Sequence, residues 1–239
     1  MKDQFFADKR DYFKWDFLED LLSGCRHLKT FTNITMLTPP DDSTEGNLKK
    51  YEQGQRRENL YKFLQKCLTD SKQRVSEMEG YFQGRRFKYS PVQAPYNYES
   101  REEYFGSISI PDEKLQDALV FFDPDIGLEA GSMSYMRRVG ISKYLFNDSL
   151  SAVTQRASDD SVIVVYQHLQ RDKNRFWDDI EERCSRFRDR VNAKRAAFLT
   201  DRDIVFLATS REQEVSLEMS KIVVAYAHRH GLDCGELSS

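Results

Sequence analysis

Hydrophobic residues in this chain form helical and strand patterns that alternate along the sequence. Between Phe5 and Leu22 they recur near helical spacing, and Gly24 follows, so this segment is predicted to be an N-terminal helix. Residues 31–37 alternate and are rich in β-branched side chains, which predicts the first strand. Wholly apolar runs predict three further strands, at residues 119–122, 162–166 and 204–208.

Amphipathic stretches lie between the predicted strands. They predict a helical region at 48–81, broken near Asp70, and helices at 141–156, 176–195 and 215–230, with weaker strands at 86–92 and 105–110. Apolar strands that alternate with such helices indicate a buried parallel sheet. We therefore expect a single α/β domain over residues 1–239, with a Rossmann-like, mostly parallel sheet, helices on both faces and a helical insertion at about 48–115.

Composition agrees with a folded core and a charged surface. Of the 239 residues, 13% are aromatic and 31% charged, and the formal net charge is -3. Charges interrupt every apolar stretch near the N-terminus, and no run approaches the roughly 20 apolar residues that span a bilayer. We expect a cytoplasmic protein with no membrane segment. The four cysteines lack metal-ligand spacing and are predicted to be free thiols: Cys25, Cys67, Cys184 and Cys234.

Positive charge is concentrated in one part of the chain. Between Lys49 and Lys88 there are 11 Lys or Arg residues and 5 Asp or Glu residues. Such a basic region predicts contact with the phosphates of a nucleic acid. The alternative is a solvated helix face with scattered salt bridges.

Polar residues follow three of the predicted strands. Asp41 and Asp42 come after the first strand, Asp123 and Asp125 after the central one, and Gln167-His168 after the next. In open α/β sheets, ligands bind beyond the carboxyl ends of the strands. These clusters therefore predict a functional site centred on Asp123 and Asp125.

The Asp123-Pro124-Asp125 turn allows more than one chemistry. Its two carboxylates would suit Mg²⁺, or one of them would orient a substrate amine or act as a base, while Gly127 lets the chain pass close to a ligand. The alternative is that both aspartates cap the following turn. His168 is a candidate general base or ligand, or a histidine that closes the strand through a hydrogen bond.

Basic side chains are candidates for substrate binding. Arg10 and Lys14 lie four residues apart, on one face of the N-terminal helix, where they would reach a phosphate or carboxylate over the strand ends. Arg171 follows His168 closely and is a second candidate for a phosphate. The alternatives are a simple amphipathic helix and ordinary surface charge. The chain has no dinucleotide-binding glycine motif, Walker A motif, zinc-protease motif or nucleophile elbow.

The order of these features resembles a known family. The helix Lys9-Arg10-Asp11-Tyr12-Phe13-Lys14 precedes the first strand, a later apolar strand ends in Asp123-Pro124, and the next ends in Tyr166-Gln167-His168. This layout resembles class I methyltransferases, in particular the ribosomal-RNA adenine methyltransferases with a helical insertion and the three-Cys-motif partner proteins. The resemblance extends from about Phe5 to Ser210.

The resemblance implies S-adenosyl-methionine as cofactor and a role for several residues. Asp123-Pro124-Asp125-Ile126 would match the family's Asp-Pro-Pro-Tyr catalytic loop, and Lys14 would match a basic residue of the leading helix. The cofactor would lie against Lys14 and the loop after the first strand, with Thr38, Asp41 and Asp42. That loop has a single glycine, Gly46, where the family has several.

Three functions remain open from the sequence. The first is a methyltransferase-like protein that acts on or binds nucleic acid, with its site at Asp123, Asp125 and His168. The second is a metal-dependent nuclease or phosphohydrolase, in which Asp41 or Asp42, Asp123 and Asp125 hold Mg²⁺ and His168 assists a water molecule. The third is a non-catalytic module that binds nucleic acid or protein on a degenerate methyltransferase fold.

Overall fold

The protein is an α/β structure built on a mixed seven-stranded sheet. The computed structural model describes residues 2–40, 48–129, 131–169 and 175–238. The seven strands of the main sheet lie in the spatial order β2-β1-β3-β6-β8-β7-β9, and β4 and β5 form a separate pair. The strands are β1 (Thr30–Ile34), β2 (Lys88–Val92), β3 (Ala118–Phe122), β4 (Gly127–Leu128), β5 (Tyr144–Leu145), β6 (Val162–His168), β7 (Arg195–Thr200), β8 (Ile204–Thr209) and β9 (Asp233–Ser238).

The helices cover both faces of the main sheet. In the described ranges the α-helices are α1 (Lys9–Gly24), α2 (Glu58–Thr69), α3 (Met78–Phe82), α4 (Arg101–Tyr104), α5 (Met133–Val139), α6 (Asn147–Thr154), α7 (Phe176–Val191) and α8 (Gln213–His230). Apolar residues of α1, α2, α3 and α8 pack with one face of the strands, and those of α4, α6 and α7 pack with the other. The expected helices on both faces are therefore confirmed.

Half of the sheet is parallel and half is antiparallel. β1 pairs in parallel with β2 and β3, and β3 pairs in parallel with β6. β8 runs antiparallel to both β6 and β7, and β9 runs antiparallel to β7. β7 and β8 are joined by only three residues, and a parallel crossover needs a dozen or more, so the direction of β8 follows from its short connection.

Several element boundaries differ from the predictions. Residues 105–110 form turns rather than a strand, and 48–57 are not helical. The predicted helix at 176–195 ends earlier because Asn192 takes a left-handed conformation (φ 59°), a common way to end a helix. The strand β7, which was not predicted, begins at Arg195. The polar edge strand β9 carried no clear hydrophobic pattern and was not predicted.

The segment predicted as an insertion takes part in the sheet. Within 48–115, β2 forms one edge of the main sheet, next to β1. α2 and α3 pack from the same segment onto the face that α1 covers. No helix in the described ranges is long and apolar enough to cross a membrane.

Candidate functional site

The carboxyl ends of β1, β3 and β6 lie side by side, as the parallel pairing requires. Ile34 pairs with Phe122, which in turn pairs with Val165. The chain then enters the loop that begins at Asp123, whose N–H donates to the Ile34 carbonyl at 3.0 Å. Asp123 is 2% exposed, so the strand ends deliver a carboxylate into a buried position.

Lys14 of α1 reaches this buried carboxylate. Its Nζ lies 2.7 Å from Oδ2 of Asp123 and 2.6 Å from Oδ1 of Asp11, and the side chains of all three residues are nearly inaccessible. Burial alone would lower the pKa of Lys14, but the two carboxylates hold it above its ordinary value. Lys14 is therefore a fixed ammonium ion that joins the leading helix to the loop after β3.

Asp125 has different partners. Its Oδ2 accepts a hydrogen bond of 2.6 Å from the Thr38 hydroxyl and lies 3.4 Å from Nζ of Lys2. Burial opposes ionisation, but nearby positive charge, including Lys2, and the Thr38 hydrogen bond lower the pKa of Asp125 to about 2. Asp125 is therefore a carboxylate at neutral pH and connects the loop after β1 with the loop after β3.

His168 lies at the end of β6 in its neutral form. Its backbone N–H donates to the Ile126 carbonyl at 2.7 Å, and its Nε2 is 3.3 Å from the Tyr166 hydroxyl. Burial, reinforced by the positive charge of Arg10, lowers the pKa of His168 from 6.5 to about 4. At neutral pH this imidazole is a hydrogen-bonding group and a weak general base.

The pKa of His168 has a consequence for stability. We expect the free energy of unfolding to fall as the pH drops from about 6.5 to about 4. In this range His168 becomes protonated in the unfolded chain but stays neutral in the folded protein. In His168→Gln this part of the pH dependence should flatten, as measured by urea unfolding at a series of pH values. His27→Gln, at the other end of α1, is the control, and parallel curves for wild type and His168→Gln would contradict the expectation.

Gln167 braces the loop after β3, a role that the sequence did not reveal. Its Oε1 accepts from the Leu128 N–H at 2.8 Å, and its Nε2 donates to the carbonyls of Ile126 and His168 at 3.1 and 2.7 Å. Gly127 packs closely against this amide, since a Cβ added there would lie 2.2 Å from the Gln167 side chain. Its φ is +137°, a backbone conformation that favours glycine. The predicted close approach at Gly127 is thus made by the protein's own glutamine.

Glu129, the next acidic residue of this loop, has a structural role. Its Oε1 accepts from Nδ2 of Asn147 at 2.5 Å, and its Oε2 accepts from the Asn147 N–H at 3.2 Å. A carboxylate at the first residue of α6 satisfies donors that a helix start leaves unpaired. Glu129 therefore orders the turn into α6.

The structure brings together part of the predicted site. Lys14 and Thr38, predicted to contact a cofactor, are bonded to Asp123 and Asp125, the predicted catalytic residues. Asp41, Asp42 and Arg171 lie outside the described residues, so their predicted roles remain predictions.

A magnesium site needs more ligands than these. In the part of the chain that the structure describes, no group of three or more His, Cys, Asp or Glu side chains is placed to hold a metal ion. Asp123 and Asp125 each lie beside an ammonium group, and a dication would have to compete with it. Metal-dependent hydrolysis therefore stays a prediction, and the arrangement of the described residues does not support it.

The basic region between Lys49 and Lys88 is partly neutralised inside the protein. Arg57 pairs with Asp16 and Asp20 of α1, and Arg85 pairs with Glu19. Arg86 donates to three backbone carbonyls after α1. These arginines anchor the segment to α1, which leaves mainly lysines on the surface for the predicted contact with nucleic acid.

The cysteines agree with the predicted free thiols. Cys25, Cys67 and Cys184 are buried, Cys234 is partly exposed on β9, and none forms a disulfide. Burial raises the pKa of Cys25 to about 12, so this thiol is inert at neutral pH.

Fold and site together define an α/β protein with a charged, mostly buried polar cluster at the carboxyl ends of parallel strands. Comparison with known proteins adds no relative: no family model, no curated protein and no solved structure matches the chain significantly.

Proposed function

We propose that this chain is a methyltransferase-like protein that acts on or binds nucleic acid, with its site at Asp123, Asp125 and His168. The observation that carries the proposal is the buried contact of 2.7 Å between Lys14 and Asp123. The family resemblance matched these two residues separately, one in the leading helix and one in the catalytic loop. They are 109 positions apart, so their contact is not a local accident of sequence.

The parallel arrangement of β2, β1, β3 and β6 supports the Rossmann-like part of this proposal, because such folds are built on an open, mostly parallel sheet. β8 lies between β6 and β7 and runs antiparallel to both. The additional strand β9 extends the sheet beyond β7.

The chemistry of the described groups fits the amino-acid end of S-adenosyl-methionine, which carries one ammonium and one carboxylate. Asp125 supplies a carboxylate and Lys2 an ammonium, with the hydroxyl of Thr38 between the two loops. These groups would hold the cofactor by charge, in place of the glycines that the loop after β1 lacks. The bound cofactor would supply the methyl group.

The chain's own residues would bind and orient the target. Asp123 is fixed by Lys14 and by the Ile34 carbonyl, so its carboxylate is preorganised to hold a polar group. The hydrogen bonds of Gln167 fix the loop from Ile126 to Leu128 beside it. In this proposal the neutral His168 contributes a hydrogen bond rather than a proton abstraction, since its pKa is about 4.

The first test is a calorimetric titration with S-adenosyl-homocysteine, without added metal. We expect saturable binding, weakened about tenfold in Thr38→Val because that hydroxyl holds the charged Asp125. Thr69→Val, on the exposed end of α2, removes the same hydroxyl type away from the site and is the control. Undetectable binding at millimolar ligand would reject the cofactor.

Methyl transfer is tested separately from binding. Single-stranded DNA and RNA oligonucleotides with radiolabelled S-adenosyl-methionine should acquire label, and Asp123→Asn should abolish it. Cofactor binding without transfer to any oligonucleotide would favour a binding module. Metal-dependent cleavage of the oligonucleotides that is lost in Asp123→Asn would instead favour hydrolysis.

A further inference from the structure

Among the described residues, the guanidinium of Arg10 has no anionic partner. Arg10 is half-buried in the first turn of α1, and within the described ranges its side chain makes no hydrogen bond and no ion pair. One turn further along, Lys14 has two carboxylates as partners. A partly desolvated cation is costly unless an anion accompanies it, so the position of Arg10 suits a negatively charged ligand.

The first turns of α1, which carry Arg10, pack near the end of β6. Lys14, four residues later on the same helix face, has its Nζ 5.8 Å from the centre of the Tyr166 ring. This geometry brings Arg10 to the strand end where Tyr166 and His168 lie. In agreement with this placement, the charge of Arg10 is, after burial, the largest contribution that lowers the pKa of His168.

The three side chains offer complementary groups to an anion. A guanidinium presents a planar fork of N–H donors that fits the oxygens of a phosphate. The Tyr166 hydroxyl and the His168 Nε2 are 3.3 Å apart and share a hydrogen bond. When the His168 ring donates to the tyrosine oxygen, the Tyr166 hydroxyl proton can be donated to an anion. The nearby carboxylates are already held by other groups: Lys14 contacts Asp123, and Lys2 and Thr38 contact Asp125.

We propose that Arg10, Tyr166 and His168 form a subsite for a phosphate group at the carboxyl end of β6. This subsite deepens the proposed function and rests on it only for the source of the phosphate. A nucleic-acid strand and a free nucleotide carry the same group, and both would bring it to the strand ends where the candidate catalytic carboxylate lies.

Inorganic phosphate is the probe that tests the subsite by itself. In calorimetric titrations the wild-type protein should bind it, Arg10→Gln should bind at least about tenfold more weakly, and Arg10→Lys should be intermediate because lysine lacks the fork. Arg26→Gln, an exposed arginine beyond the other end of α1, should bind as the wild type does. Circular dichroism spectra show whether each variant is folded.

Histidine ring resonances give a local readout at fixed pH. The chain has four histidines, and His168→Gln identifies the signal of His168. Phosphate should shift that signal in the wild type and in Arg26→Gln but not in Arg10→Gln. The proposal is overturned if the signal does not move, or moves equally in Arg10→Gln.

Two further titrations distinguish the sources of the phosphate. A single-stranded oligonucleotide that binds more tightly than a mononucleotide, and loses affinity in Arg10→Gln, supports a strand phosphate. Binding of the mononucleotide alone, with the same loss, supports a free nucleotide. If neither ligand binds more weakly to Arg10→Gln than to the wild type, the proposed subsite is overturned. Because these titrations contain no cofactor, a failure of cofactor binding leaves their result unaffected.

Discussion

Lys14→Met is expected to lower the free energy of unfolding by about 3–5 kcal/mol, the range for breaking a buried ion pair. The substitution removes the ammonium that lies 2.6 and 2.7 Å from two buried carboxylates, Asp11 and Asp123. Methionine fills a similar volume, so the loss reports on the uncompensated charges rather than on a cavity. Urea unfolding at neutral pH measures it.

Lys29→Met provides a matched control. Nζ of Lys29 lies 2.7 Å from Asp117, the same separation as in the Lys14 pair, but the Lys29 side chain is 78% exposed, against 4% for Lys14. An exposed pair contributes about 0–1 kcal/mol, so the two substitutions should differ by several-fold. Similar losses would mean that burial of the Lys14 cluster does not determine its energy.

The Lys14→Met variant should also regain stability on acidification. Burial already raises the pKa of Asp123 in the folded state, and without the ammonium that opposes this effect the pKa rises further. The folded variant then binds more protons, so its free energy of unfolding increases as the pH falls through that raised pKa. A loss that is independent of pH would contradict this origin.

Gly127→Ala is expected to cost about 3 kcal/mol or more, from backbone strain and steric overlap together. The φ of +137° is rare for residues with a side chain, and the new methyl carbon would lie 2.2 Å from the Gln167 amide. Relief of the overlap would displace Gln167 and release the loop after β3. The variant should therefore also lose affinity for S-adenosyl-homocysteine, if the chain binds it.

Gly84→Ala separates strain from overlap. Gly84 also has a positive φ, +77°, but a Cβ added there meets nothing within 4 Å. Its substitution should cost about 1–2 kcal/mol, the conformational part alone. In the double variant Gly127→Ala/Gln167→Ala, part of the overlap cost should disappear, which appears as coupling in a double-mutant cycle. Equal losses for Gly127→Ala and Gly84→Ala would contradict the role of Gln167.

Local patterns determined the main elements of this protein. The helical spacing before Leu22 and the apolar runs at β3, β6 and β8 specified these elements, since burial of one helix face or of a whole strand leaves a periodic trace in sequence. The position of Asp123 just after an apolar strand likewise indicated the site, because such strands end at the ligand-binding edge of a sheet.

Only the tertiary structure determined how these parts meet. The direction of β8 depends on a three-residue connection from β7, a strand that the pattern did not predict. The partners of Lys14 and Gln167 lie 109 and about 40 residues away, and no local pattern encodes such distances. Packing of α1 across the strand ends brings Lys14 to Asp123, and the pairing of β3 with β6 brings Gln167 to the loop after β3.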